Sequence, residues 1–341
     1  IGLKPVNISM DVQRVKCHEC GCTRQEHLSF VKPKKHYTRA FEKYVHSLSQ
    51  FTTIKAIAEK LQMSWDTIKE IQKQKLKRSF PRRTFKGLRR IAIDEFAVKK
   101  GHKYKTAVID LHSGEIVYVG DGKGKDALEG FWAKLNKQKV KLEAAAVDLA
   151  PAYWSAVLEN QPQAVIIFDH FHIRKLMNET LTSIRRGLYN QEKKTQVRDV
   201  LKGTRWLLLK NRKNLKEEKN EHRRLDDALE MNKPLATAYY LKEELTLLWH
   251  QNSKENAALF LKQWVEKALS SKIPLLAKFA NTLLAHKRGI LDWYDYPIST
   301  GPLEGLNNKI KTMKRQAYGY RDQEFFTLKL YALHEKDYAF F

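Results

Sequence analysis

Cysteine is nearly absent from this chain. Among 341 residues there are three, all between Cys17 and Cys22, which excludes a disulfide scaffold. Long apolar runs are missing as well. No stretch approaches the ~20 apolar residues of a membrane-spanning helix, and no charged-then-apolar leader precedes a cleavage site. The expectation is a soluble, intracellular protein. Neither a fixed-period repeat nor a low-complexity tail is present. Acidic residues are in short supply, with 38 Asp plus Glu against 63 Lys plus Arg, a net charge of +25. Such an excess is too large for an ordinary metabolic enzyme, and a polyanion is the natural partner. What is present is globular in composition, 43% hydrophobic and 30% charged, and long enough for two or three domains with a buried core. The chain opens on Ile1 rather than Met, as expected of a fragment or an incomplete reading frame.

Residues 1 to 90 carry 21 basic and 7 acidic side chains, so the positive charge is concentrated there. Cys17 and Cys20 form a C-x-x-C pair, with Cys22 close behind. Thiolates at that spacing can hold one side of a tetrahedral zinc site, which needs two further ligands. No second pair follows. The remaining ligands are missing, lie upstream of Ile1, or come from His18, Cys22, His27 or His36. Residues 51–77 then predict a helix-turn-helix. Thr52 or Thr53 caps a first helix with Ile54, Ile57, Ala58 and Leu61 on one face, and Ser64 caps a second from Trp65 to about Leu76. With Ile68 and Ile71 inward, Thr67, Lys69, Gln72, Lys73 and Lys75 are expected on the outward side, as residue types that contact base edges and phosphates.

Beyond a linker, Lys77 to Arg83, the pattern changes to strands: Ile91–Phe96, Lys105–Leu111 and Glu115–Val119, the last two joined by a tight turn at His112-Ser113-Gly114. Gly120 to Asp126 is glycine-rich but lacks the spacing of a phosphate-binding loop, and reads as a strand-to-helix turn. A helix over Asp126–Leu135, a strand over Leu142–Leu149, a helix over Tyr153–Glu159 and a strand over Ala164–Asp169 complete a mixed sheet covered by helices. From Phe171 to about Tyr294 the pattern is helical throughout. A last helix begins near Leu303, with Leu303, Leu306, Ile310, Met313 and Ala317 as its buried seam.

Three carboxylates stand out. Asp94 lies within an apolar strand, and Asp148 ends the run Ala144–Val147, at the edge where open sheets hold their ligands. Glu304 shares a polar stripe with Asn308, Lys311 and Arg315. Each has a plain structural alternative: Asp148 as a helix cap, Glu304 as a first-turn acid favoured by the helix dipole. Together, two aspartates on neighbouring strands and a glutamate on a later helix can hold two divalent ions ~3.5–4 Å apart for in-line phosphoryl displacement. Magnesium or manganese suits such oxygen ligands.

Ile91 to Phe96 with Lys100 to Tyr104, then Val147 to Tyr153, then Phe168 to His172, and finally Ser299 to Lys311 with Lys314-Arg315 and Ala317 to Arg321, resemble the DDE transposases of bacterial insertion sequences, of the ISL-three type. The resemblance covers nearly the whole chain. It implies an α/β fold, namely a ribonuclease-H-like mixed sheet with a helical insertion, preceded by a small zinc-binding module and a helix-turn-helix. The corresponding bounds are 1–40, 41–80, 88–170, 171–296 for the insertion and 297–341 for the glutamate segment. It implies the triad Asp94, Asp148 and Glu304, two magnesium or manganese ions, and zinc at Cys17 and Cys20, although the family's module begins with an earlier cysteine pair. It also implies binding to the element's terminal repeats, strand cleavage and transfer, phosphate contacts by Lys309, Lys311, Lys314 and Arg315, a homodimer or larger assembly on double-stranded DNA, and a cytoplasmic, nucleoid-associated location.

Some alternatives stay open in the sequence. Asp169 also ends a strand and competes with Asp148. His170 and His172 read as packing or supporting groups, with His172 able to orient DNA. Trp206, flanked by Arg205 and Lys210, is either core or a platform for an unpaired base. A non-catalytic repressor, a decayed copy, or a nuclease that cuts without joining would share most of these features.

Overall fold

The computed structural model describes residues 6–80, 84–99, 101 and 103–334. Pro81, Arg82 and Arg83 of the expected linker, and Lys100 and His102 of the first motif, lie outside the described residues. In chain order the elements are β1 (Arg14–Lys16), β2 (Thr23–Gln25), α1 (Arg39–Leu48), α2 (Ile54–Leu61), α3 (Trp65–Ser79), β3 (Arg90–Lys99), β4 (Lys103–Asp110), β5 (Ile116–Asp121), α4 (Glu129–Lys137), β6 (Ala144–Val147), α5 (Pro151–Asn160), β7 (Val165–Phe168) and α6 (His170–Gln191). They continue with α7 (Thr195–Gly203), α8 (Arg205–Leu209), α9 (Glu221–Glu230), α10 (Lys233–Leu245), α11 (Lys254–Ser270), α12 (Pro274–Ala285), α13 (Lys287–Leu291), α14 (Gly301–Gln316) and α15 (Gln323–Tyr331). Among the described residues no helix is long and apolar enough to cross a membrane. The chain divides into two compact units, one of Ile1–Thr84, Glu115–Val117 and Leu306–Phe341, the other of Phe85–Gly114 and Tyr118–Gly305.

In the first unit, local capping sets the helix starts. Thr38, Thr53 and Ser64 each accept a hydrogen bond from the backbone N–H three residues on, at 3.1, 3.2 and 3.2 Å. Gln62 ends α2 in the left-handed region, φ 51°. The three helices bury Val45, Ile57, Ala58, Ile68 and Ile71 in one cluster. Helix α1 supplies Val45, so the helix-turn-helix expected from residue 51 has a third helix before it; Thr38 followed by Phe41, Val45 and Leu48 is its signature. A second cluster joins Leu76 of α3 to Phe325 and Leu328 of α15, with Ala332 just beyond.

Glu42 of α1 is almost fully buried and pairs with Lys32, with Arg78 at 2.5 Å and with His46 at 3.6 Å. Burial raises its carboxyl pKa, but Lys32 and Arg78 outweigh burial and bring it down to about 2. A depressed carboxyl stabilises the fold above its unfolded value, and that contribution is lost as pH falls from about 4.5 towards 2. Glu42→Gln should therefore cost this unit about 2 kcal/mol at neutral pH. The cost should shrink in urea melts near pH 3, whereas an equal cost at both values would contradict the pairing.

One five-stranded sheet has the order β5-β4-β3-β6-β7, and β3, β4, β6 and β7 lie wholly within the second unit. β3 runs antiparallel to β4, with Ile93 opposite Val108, and parallel to β6, with Ala92 opposite Ala146. β6 is parallel to β7 in turn. Ala144 to Val147 are all buried, which is why this strand reads as unbroken apolar sequence between helix-covered faces. Phe131, Trp132 and Leu135 of α4, Tyr153, Ala156 and Val157 of α5, and Ile173 and Met177 of α6 are buried.

The glycine-rich turn is explained by space and backbone. A Cβ on Gly120 would lie 1.8 Å from the Ala127 carbonyl oxygen, while Gly122 and Gly124 take φ +91° and +114°. Residues Asp126–Leu128 form a 3-10 turn before α4, where a continuous helix from Asp126 was expected. From α7 to α13 the structure is helical, as read, and packs around Leu225, Tyr239, Leu261 and Trp264, whose indole donates to the Leu241 carbonyl at 2.9 Å.

Candidate active site and nucleic-acid surface

The sheet register builds the carboxylate pair. Ala92 of β3 faces Ala146 of the parallel strand β6, so Asp94 and Asp148, each two residues on, fall at matching positions. Both are half-buried, and each pKa is raised, burial being the chief cause. Hydrogen bonds offset burial in part. Asp94 Oδ1 accepts from the Glu95 N–H at 2.8 Å, and Asp148 Oδ1 accepts from the Ala150 N–H at 2.9 Å. The electrostatics link the two: the charge of Asp148 raises Asp94, the charge of Glu95 raises both, and His172 of α6 lowers both. Negative charge is concentrated at this pair, and His172 offsets it in part.

Two neighbours escaped the sequence reading. Glu95 accepts a hydrogen bond from the Tyr153 hydroxyl at 2.7 Å, and Thr106 lies 3.3 Å from the same hydroxyl. Burial raises the Tyr153 phenol, so it stays a donor to Glu95. Glu95 and Thr106 are register partners across β3 and β4, which only the strand pairing reveals.

The rivals for the second aspartate have different surroundings. Asp169 is 1% exposed, accepts the Thr300 hydroxyl, and caps α6 through the Phe171 N–H at 3.3 Å. Its oxygens are committed to structure. Asp148 is no helix cap: the N-cap of α5 is Ala150, with Pro151 in the first turn. His170 packs against Trp249 and Trp293 at 5.7 and 6.4 Å, as a packing residue should.

Glu304 sits in the first turn of α14, exposed, its N–H bonded to the Thr300 carbonyl at 3.2 Å. Among the described residues no group of three or more His, Cys, Asp or Glu is gathered to hold a metal ion, so Glu304 is not drawn together with the aspartate pair here. The expected seam holds for Leu303, Leu306, Ile310 and Met313, all buried. Ala317 departs from it. The helix stops at Gln316, and Ala317 is exposed in the turn before Tyr318, which has φ 49°. Asn308, Lys309, Lys311 and Arg315 are exposed, while partial burial lowers the Lys314 pKa.

On the helix-turn-helix, Thr67 shares a hydrogen bond with the Ser64 hydroxyl at 2.8 Å and is half-buried, as is Lys75. Gln72 corrects the expected outward face: it is 5% exposed and donates to the Ser49 hydroxyl at 2.7 Å, so it lies inward, against the end of α1. Lys69 and Lys73 are half-buried and engaged, each 2.9 Å from Asp322. Trp206 is 65% exposed, with the Arg205 guanidinium 4.6 Å from its ring centre, and so is not core.

The cysteines lie in and beside the β1–β2 hairpin, closed by the Cys17 N–H to the Cys22 carbonyl at 2.8 Å. All three are free and exposed. Cys20 has a lowered pKa, owing first to the Cys22 backbone and then to the Cys17 and Cys22 thiols. Neither His18, His27 nor His36 joins them in a metal-holding group.

Comparison with known proteins places these features. A family profile of transposases of the ISL3 type matches residues 91–330, and a profile of the helix-turn-helix domain of transposase family ISL3 matches residues 26–74. The chain is 34% identical over 323 residues to the transposase for insertion sequence element IS1001 of Bordetella parapertussis, covering 94% of this chain and 79% of that protein. It is 26% identical over 347 residues to the transposase for insertion sequence element IS1557 of Mycobacterium tuberculosis, covering 95% and 77%. With both profiles and a sheet carrying paired aspartates in agreement, the chain belongs to the ISL3 family of transposases.

Proposed function

We propose that the chain binds the terminal repeats of an insertion sequence and catalyses cleavage and transfer of DNA strands, with Asp94, Asp148 and Glu304 as its catalytic carboxylates. The observation that supports this reading is the register of β3 and β6, which brings Asp94 of β3 and Asp148, just past the end of β6, to corresponding places as two half-buried aspartates linked by charge. The sheet order, with the first strand of the unit central and the second antiparallel to it, is the one expected of a ribonuclease-H-like core.

The two aspartates fit a divalent cation: they are oxygen donors, gathered where the negative charge of Glu95 adds to their own. Magnesium or manganese bound there would activate the attacking water or 3′-hydroxyl and stabilise the leaving oxygen. The protein's own groups do the rest. Asp94 and Asp148 are held by the amides of Glu95 and Ala150. Tyr153 ties Glu95 by a hydrogen bond and so limits its competition with them. Glu304 completes the set once DNA is seated. The cations of α14, Lys309, Lys311, Lys314 and Arg315, contact the phosphate backbone of the DNA, and Trp206 offers one ring face to an unpaired base. Cys17 and Cys20 supply two thiolates of a zinc site in the hairpin. Action on two element ends calls for at least a dimer.

The test is strand cleavage and joining on labelled, end-bearing DNA with Mg²⁺, with Glu304→Ala alongside. Both activities should disappear in the variant while DNA binding remains. Cleavage retained in the variant would remove Glu304 from the mechanism, and binding without cleavage in the unaltered protein would favour a repressor.

A further inference from the structure

The second helix of the helix-turn-helix carries Lys69, Lys73 and Lys77 at four-residue steps, a row ~6 Å apart along one side of α3. In a helix-turn-helix the N-terminal part of this helix enters the major groove, and lysines along it meet phosphates. Here the row already holds anions, and they belong to the same polypeptide. Asp322 lies 2.9 Å from both Lys69 and Lys73, and Glu324 lies 2.7 Å from Lys73 and 2.6 Å from Lys77. The acids open helix α15, which is fixed to α3 by Leu76 packing on Phe325 and Leu328. The pairing is strong: burial raises the Asp322 carboxyl, yet the Phe325 amide, Lys69 and Lys73 together hold it well below the ordinary range. Lysines and carboxylates therefore form one alternating ladder, Lys69–Asp322–Lys73–Glu324–Lys77, built across more than two hundred residues of sequence.

We infer that Lys69, Lys73 and Lys77 form a DNA-phosphate site that Asp322 and Glu324 occupy in the free protein, so that the start of α15 is an internal substitute for the DNA backbone. The inference rests on the DNA-binding reading of the helix-turn-helix. The two carboxylates act twice. They neutralise the lysines, and they place negative charge where a phosphate would approach, which repels it. Binding of an element end must displace the acids from the row, so the affinity of the free protein is set below what its lysines alone would give. A chain with a net charge of +25 has need of such a brake, because unrestrained cationic helices bind any duplex.

The test uses the full chain in four forms: unaltered, Asp322→Asn with Glu324→Gln, the triple variant K69Q/K73Q/K77Q, and all five changes together. Asn preserves the cap that Asp322 gives to the Phe325 N–H, so α15 is retained, and near-ultraviolet circular dichroism checks this. Glu324→Gln alone, at an exposed position with no capping role, is the second variant should the pair disturb folding. Binding to labelled end-bearing duplex is measured across salt concentration. Removing the acids should tighten binding at low salt about 10-fold and steepen the slope of log K against log salt by up to about 2.7, the value for three newly engaged phosphates. The five-fold variant should show neither change. A gain of the same size in the five-fold variant would mean a general charge effect and overturn the inference. So would unchanged affinity and slope in the acid-neutralised protein while the unaltered protein binds. Failure of all four forms to bind would overturn the DNA-binding reading and this inference with it.

Discussion

Asp94→Asn and Asp148→Asn should each lower strand cleavage on the order of 10³-fold or more, the several kcal/mol expected when a carboxylate that holds a catalytic cation is removed. The same substitutions should not destabilise the protein. Burial and the mutual repulsion of Asp94, Glu95 and Asp148 raise both aspartate pKa values, so their ionised forms are a cost to the folded state. A raised carboxyl pKa means the penalty is absent below the unfolded pKa, grows as pH rises from the unfolded towards the folded value, and is complete above the folded one. Asparagine removes it. At neutral pH the variants should melt at or above the temperature of the unaltered protein, and the difference should vanish in acid. The functional reading therefore predicts lost activity together with retained or increased stability. A variant that loses cleavage and melts lower would show Asp94 or Asp148 to be structural, as Asp169 is through its bonds to Thr300 and Phe171.

The largest effect on folding should come from Gly120→Ala. The added Cβ would fall 1.8 Å from a backbone oxygen, that of Ala127, where no side-chain rotation gives relief. Relief requires moving the 3-10 turn at Asp126–Leu128 away from β5, which would disturb the buried Ala127 and Leu128 and the start of α4. We expect a loss of about 3 kcal/mol or more, at the upper end of overpacking costs. Gly122→Ala and Gly124→Ala meet no atom within 4 Å and suffer only the backbone cost of a positive φ, about 1–2 kcal/mol. Urea denaturation of the three variants should rank Gly120 well ahead of the others. Equal losses would mean that the turn relaxes freely.

What the sequence disclosed, and what it hid, follows from the range of the interactions. Thr53 and Ser64 were legible as caps because the cap and its partner lie three residues apart. Ala144 to Val147 was legible as a strand because burial on both faces leaves an unbroken apolar signature. Asp94 was legible because a carboxylate inside such a strand is out of place. Gln72 was misplaced because its partner, Ser49, caps the end of a helix absent from the sequence reading, and polarity alone argued for an outward position. Lys69 and Lys73 are half-buried against Asp322, and nothing local announces to Lys73 a partner 249 residues away. Ala317 was lost by carrying a helical period one residue past the helix end, where the backbone turns into the left-handed region at Tyr318. Glu95 and Tyr153 were quoted only as parts of a motif; their hydrogen bond needs the geometry of the sheet and α5.

The packing of Leu76 against Phe325 and Leu328 also bears on synthesis. The three N-terminal helices leave the ribosome long before α15 exists, and the intervening ~240 residues take about 12–48 s to translate at 5–20 residues per second. During that interval the nascent chain would carry α3 with its leucine uncovered and its lysine row open, beside the messenger and the ribosomal RNA. Completion of α15 would close both at once. Each newly made molecule would thus pass from a general binder of nucleic acid to a restrained one, and chains truncated before Asp322 would never make that transition.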